Sequence, residues 1–179
     1  HKGFSVVELM IVLAVAAILL ATAVPSFTET IQNNRLSTQV NELHAGLSLA
    51  RSEAVKRNSN VTVCRSSDGS SCTGNWQEGW ILFEDVDSDG VVDEGDEILR
   101  VANAVQGGIT IAFSDTQVIY NGSGLASVGA LETFTLCDSR GDTNAKALVI
   151  GPSGRPRLAL YSDDDGGYVD HDGNALSCS

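Results

Sequence analysis

Five aspartates stand at regular intervals in the middle of the chain. Asp85, Asp87, Asp89, Asp93 and Asp96 occupy positions 1, 3, 5, 9 and 12 of a twelve-residue stretch, with Gly90 at position 6. Alternate oxygens in that order wrap a hard cation, and the glycine permits the sharp turn, so the chemistry offered is that of a calcium loop. Two features depart from that pattern. Position 12 is Asp rather than a longer bidentate Glu, although Glu97 follows, and the flanks at 80–84 and 98–101 read as strands rather than helices. The expectation is a calcium-like loop at a hairpin tip, with the five aspartates as candidate ligands and no other cofactor indicated. The alternative for the same residues is a solvated acidic hairpin that discourages strand-edge pairing. A second run, from Asp163, Asp164 and Asp165 to Asp170 and Asp172, is a looser imitation. Adjacent carboxylates repel and cannot all face one ion, so this stretch reads as a polar tail.

Basic chemistry concentrates at Gly154-Arg155-Pro156-Arg157. Each guanidinium presents a fork of donors suited to phosphate. Alternate residues of a regular strand share a face, so the pair could bridge neighbouring phosphates of a duplex without reading bases. Such capture of DNA is independent of sequence and sensitive to salt. Arg140 and Lys146 join the patch if their strands pair beside it; the alternative is a turn whose arginines pair with Asp163 or Asp142. Nucleophilic and hydrolytic signatures are missing: there is no G-x-S-x-G elbow, no phosphate loop and no H-E-x-x-H helix. His44 falls beside Leu43 on a helical surface and His171 in the acidic tail, so the chain is not read as an enzyme.

The N-terminus carries the most specific pattern. From Leu9 to Val24 the only polar side chain is Thr22, and with the preceding residues this makes a helix of about 31 Å, enough to cross a bilayer core. Glu8 at its start is costly in lipid and calls for a positive partner, yet no basic residue occurs between Gly3 and Arg35. The segment Lys2-Gly3-Phe4-Ser5-Val6-Val7-Glu8-Leu9 resembles the processing site of type IV prepilins and type II secretion pseudopilins. The resemblance implies that prepilin peptidase cuts after Gly3, leaving Phe4 as an N-methylated terminus. Glu8 then pairs with the terminal amine of a neighbouring subunit, and Pro25 stands where pilins carry a helix-bending proline. It also implies partners (other major and minor pilins, through this helix) and a location: the inner membrane, single-pass with a periplasmic head, then the pilus fibre.

The elements that position these groups follow from periodicity. Leu36, Val40, Leu43, Leu47, Ala50 and Ala54 recur at helical spacing with polar residues between them, so one helix is expected from about Phe4 to Lys56, stopped by Asn58-Ser59-Asn60. Strand-like runs follow at 61–64, 80–84, 98–101, 109–113, 118–120, 133–137, 147–150 and 157–161, separated by Gly, Asn, Asp and Ser. The fold class expected is α+β: a long N-terminal helix, half membrane and half amphipathic, packed on a β-rich antiparallel head of one or two sheets. The divisions are 1–3 as the remnant of a leader, 4–25 as the membrane and filament-core helix, 26–58 as the amphipathic helix, and 59–179 as the head. Thirteen of the 23 acidic residues lie in 84–97 and 163–172, so the net charge of −12 describes two loops rather than the whole surface.

This layout resembles the GspH/FimT/FimU branch of minor pilins and pseudopilins. The supporting residues are Leu49-Ala50-Arg51-Ser52-Glu53-Ala54, Gly79-Trp80-Ile81-Leu82-Phe83-Glu84-Asp85 and the Gly154–Arg157 motif. The resemblance implies a minor pilin acting as a structural subunit in pilus assembly or initiation. Its alternatives are a minor pseudopilin of type II secretion and, because a G-R-x-R motif is associated with DNA capture in some members, a DNA-binding pilin for DNA uptake. Four cysteines behind an export-type N-terminus read as two disulfides with three connectivities open. The expected pairing is Cys64–Cys72, closing a Gly/Ser-rich loop, and Cys137–Cys178, tethering the tail. Zinc is the rival, but no C-x-x-C pair is present.

Overall fold

The structure is a computed structural model that describes residues 3, 5–163 and 166–178, with the side chains of residues 22–25 set aside. A single helix, α1 (Val6–Arg57), leads the chain. Among the described residues ten strands follow: β1 (Asn60–Arg65), β2 (Gly79–Asp85), β3 (Glu97–Asn103), β4 (Thr110–Ala112), β5 (Gln117–Tyr120), β6 (Glu132–Cys137), β7 (Lys146–Ile150), β8 (Arg157–Leu158), β9 (Tyr161–Ser162) and β10 (Gly167–Tyr168). Short 3₁₀ turns at Trp76–Glu78 and Asp142–Asn144 precede β2 and β7.

The chain divides into two compact units, His1–Asn34 and Arg35–Ser179. In the first, the helix is apolar and exposed, long and apolar enough to cross a membrane. In the second, Leu36, Val40, Leu43, Leu47, Ala50 and Ala54 are all buried, because their 4-3-4-3-4 spacing holds them on one face. The helix ends where Asn58 turns left-handed, at φ 53°. There Ser59 N donates back to Ala54 O at 3.3 Å, and asparagine tolerates that conformation with little strain.

Two antiparallel four-stranded sheets receive the helix, in the orders β3-β2-β1-β5 and β4-β6-β7-β8, with β9 and β10 as a separate ribbon. Strand alternation sorts their side chains. Val61 and Val63, Leu82, Phe134 and Leu136, and Leu148 and Ile150 join the helix face in one core. The opposite faces form two smaller clusters. Cys64, Ile81 and Phe83 pack beneath Cys72 on the first sheet. Cys137, Ala147, Val149, Ala159 and Leu176 pack beneath Tyr168 and Cys178 on the second. The disulfides Cys64–Cys72 and Cys137–Cys178 thus each fasten a loop over the outer face of one sheet. The last strand expected from the sequence, 157–161, is two pieces: β8 pairs with β7 only at Arg157 and Leu158, and Tyr161 belongs to the ribbon with Tyr168. The break lies at Ala159, where the chain holds β7 through Ala159 N on Ala147 O but then leaves it.

Candidate functional site

Glu8 lies in the first turn of α1 and is exposed, while Gly3 precedes the helix. Phe4 lies outside the described residues, and of Pro25 only the helical backbone is described. Gly3 and Glu8 therefore sit at the N-terminal end of the apolar helix, and Pro25 lies within it.

The acidic loop is held by its first and last aspartates. Asp85 closes β2 opposite Asn60 and is fully buried. Its Oδ2 accepts from Thr62 Oγ1 at 2.8 Å and Gly90 N at 3.1 Å, and its Oδ1 from Asp89 N at 3.1 Å. Asp96 caps the other side, accepting Val86 N at 3.0 Å and Asp93 N at 3.3 Å. Gly90 takes φ 76° and brings an ideal Cβ position within 2.3 Å of Gln117 Nε2, so a side chain there would meet both backbone strain and a neighbour. Asp85, Asp87 and Asp89 each present an oxygen within 4.8 Å of the others. Asp93 titrates above the usual range, through its desolvation first and then the charges of Asp87, Asp96, Asp89 and Asp85. The structure therefore brings three candidate ligands together, sets Asp93 in their field and commits Asp96 to loop backbone. Thr62, which fixes the buried Asp85, carried no signal in the sequence; only the register of β1 against β2 places it.

Beside this loop, Arg57 at the end of α1 gathers three carboxylates. Its Nε donates to Glu53 at 2.9 Å, and its Nη1 donates to Glu84 at 2.5 Å and Glu97 at 2.6 Å. Glu53 is held below its ordinary value chiefly by Arg57, and Glu84 by the Ser59 hydroxyl and then Arg57. The helix end is in this way tied to both strands of the acidic hairpin.

The basic motif is a turn followed by a strand. Gly154 adopts φ 69°, and an ideal Cβ there would lie 2.2 Å from Gly124 O and 3.1 Å from Tyr120 Cε1. Only glycine fits so close to a neighbouring backbone. Gly124 O accepts Arg51 Nε of α1 at 3.0 Å. Tyr120 beneath the turn is fully buried, which pushes its phenol up. Arg155 precedes β8 and borders a cleft with His44, Ser48, Arg51 and Pro156, whereas Arg157 lies in β8 opposite Val149. Strand alternation thus does not apply to the pair, since only Arg157 is in the strand. Both arginines are exposed, and neither forms an ion pair among the described residues. The expected neighbours are engaged elsewhere. Arg140 forks onto Asp138 at 2.6 Å, and Lys146 donates to Ser37 at 2.7 Å and lies over the Tyr168 ring. Asp142 accepts Cys178 N at 2.8 Å rather than an arginine.

An apolar-led helix whose second half packs on an antiparallel β head defines the type IV pilin-like class. The comparisons agree. A family profile described as "Type II transport protein GspH" matches residues 39–154, and one described as "Prokaryotic N-terminal methylation motif" matches residues 1–24. The chain belongs to the GspH family. No curated protein sequence matches it. Among solved structures it is similar to the type IV minor pilin FimU of Pseudomonas aeruginosa in one crystal form, at 25% identity and TM-score 0.58, covering 75% of this chain and 92% of that one. A second crystal form of FimU gives 21% identity and TM-score 0.56, with 70% and 93% covered. The minor pseudopilin EpsH of Vibrio cholerae gives 12% identity and TM-score 0.49, with 69% and 95% covered.

Proposed function

We propose that this protein is a minor pilin, a structural subunit that helps initiate or cap a type IV pilus. The observation that carries the reading is the joint one: a methylation motif over residues 1–24 and a GspH-type head over 39–154 on one helix. Prepilin peptidase removes 1–3 at Gly3. Residues 4–25, including Pro25, hold the chain as a single pass in the inner membrane and later form filament core. The head, built on 26–58 and 59–179, waits in the periplasm until extraction into the fibre. Glu8, exposed and with no basic residue between Gly3 and Arg35, takes the terminal amine of the next subunit's Phe4. Replacing Glu8 by Gln leaves the melting of the head unchanged and reduces surface pili; normal pilus numbers would refute the electrostatic role. Deleting the gene separates this reading from the secretion pseudopilin, since loss of pili supports the first and loss of enzyme export the second.

A second reading, DNA capture, is favoured by the exposure of Arg155 and Arg157 and by the lack of an ion pair at either among the described residues. Gel-shift titration of wild type against a double Arg-to-Gln variant tests it: a shift lost in the variant and at physiological salt supports it, and equal binding refutes it. For the acidic loop, the grouping of Asp85, Asp87 and Asp89 supports a weak calcium site. An all-oxygen donor set of this kind suits a hard cation.

A further inference from the structure

The cleft between α1 and the Gly154–Arg157 turn has a composition unlike the rest of this acidic chain. Its volume is about 340 Å³, and it is lined by His44, Ser48, Arg51, Arg155 and Pro156, with no carboxylate among them. His44, Ser48 and Arg51 follow one another at spacings of four and three, which sets them on one stripe of the helix. Arg155 comes from the opposite wall.

Two of these groups are positioned in advance. Arg51 is anchored through Nε to Gly124 O at 3.0 Å, and its side chain lines the cleft. The turn carrying Arg155 is pinned by the close approach of Gly154 to the same Gly124 carbonyl. The Gly124 carbonyl therefore lies between the anchor of Arg51 and the turn that carries Arg155. Cationic and hydroxyl donors on two walls, one guanidinium already anchored, suit an oxyanion such as phosphate.

We infer that this cleft is a phosphate-binding site formed by His44, Ser48, Arg51 and Arg155, with Arg157 outside it. The inference is independent of the DNA reading, which needs Arg155 and Arg157 to act as an equal pair along a duplex. Here they divide, because Arg155 enters the cleft and Arg157 is carried off by β8.

The test uses the full chain in detergent micelles, ¹⁵N-labelled and titrated with inorganic phosphate at constant ionic strength. Saturable amide shifts are expected around residues 44–51 and 154–156. Arg155→Gln weakens phosphate binding about tenfold, the scale of one lost charge-assisted contact, while Arg157→Gln changes it less than about twofold. Arg155 is exposed and forms no ion pair among the described residues, so its variant keeps the wild-type melt. Ser48→Ala gives a second, milder reduction from the helix side. Linear, unsaturable shifts overturn the inference. So does equal weakening by Arg155→Gln and Arg157→Gln, which is the pattern of a diffuse basic patch. Acetate shifting the same amides as strongly as phosphate also overturns it, since the site would then select charge and not the phosphate group.

Discussion

Gly46 lies on the buried face of α1, and the indole of Trp80 fills the notch it leaves. An ideal Cβ at Gly46 would stand 2.2 Å from Trp80 Cη2, 2.8 Å from Cζ3 and 2.9 Å from Cζ2. In an exposed helix, Gly46→Ala stabilises by about 1 kcal/mol through propensity alone. Here the added methyl needs a carbon contact near 3.5–4.0 Å, so the ring must retreat by more than about 1 Å. Trp80 is only 4% exposed, and Arg100 lies 5.3 Å over its ring while also pairing with Glu42 at 3.5 Å. Overpacking of this kind costs about 1–3 kcal/mol, and a ring held between helix and sheet belongs at the upper end. The net expectation is a loss of about 1–2 kcal/mol, or a Tm lower by roughly 3–6 °C. Thermal melts followed by near-ultraviolet circular dichroism read both the stability and the Trp80 environment. In a Trp80→Leu background the same Gly46→Ala change should turn neutral or stabilising. A rise in Tm for Gly46→Ala alone, or additive effects within about 0.5 kcal/mol, would refute the notch argument.

Reduction or Cys-to-Ser replacement should cost about 2.5 kcal/mol for Cys64–Cys72 and about 4 kcal/mol for Cys137–Cys178, whose sequence separations are 8 and 41; denaturant titrations of the two double variants check the ranking. Glu53, Glu84 and Asp138 sit below their ordinary values of 4.5, 4.5 and 3.8, held by Arg57, by Ser59 with Arg57, and by Arg140. Their contribution is complete above those ordinary values and is lost as pH falls through the depressed ones. The melt of the protein should therefore weaken below about pH 4, less steeply in Arg57→Gln, with protonation of Asp93 acting in the opposite sense. Millimolar calcium should raise Tm over EDTA, and the gain should vanish in Asp87→Asn/Asp89→Asn; identical melts in both conditions assign the loop to a solvated hairpin.

What could be read from the sequence was local. The Gly3, Phe4, Glu8 and Pro25 set needs no folding to be recognised, and the seam from Leu36 to Ala54 shows its period because a helix buries neighbours three and four residues apart. Strand positions were legible for the same reason, since alternation is a property of each strand. The 157–161 run failed that test because β7 offers it a partner for only two residues before the ribbon takes over. What tertiary structure decided was every relation between segments distant in sequence. Among three possible disulfide connectivities the expected one was Cys64–Cys72 with Cys137–Cys178, and the fold supplies its geometry by folding each loop over the outer face of one sheet. Five aspartates in calcium-like spacing became three clustered oxygens and a backbone cap once β1 placed Thr62 against Asp85. Arg155 and Arg157, two residues apart, were parted because one ends a turn pinned to Gly124 and the other begins a strand. Gly46 carries no mark of its packing in the sequence, and only the fold brings Trp80, 34 positions on, into the space it leaves. Side-chain type and short-range spacing are written in the chain, but which distant groups meet depends on strand register and on how the two sheets close over one helix.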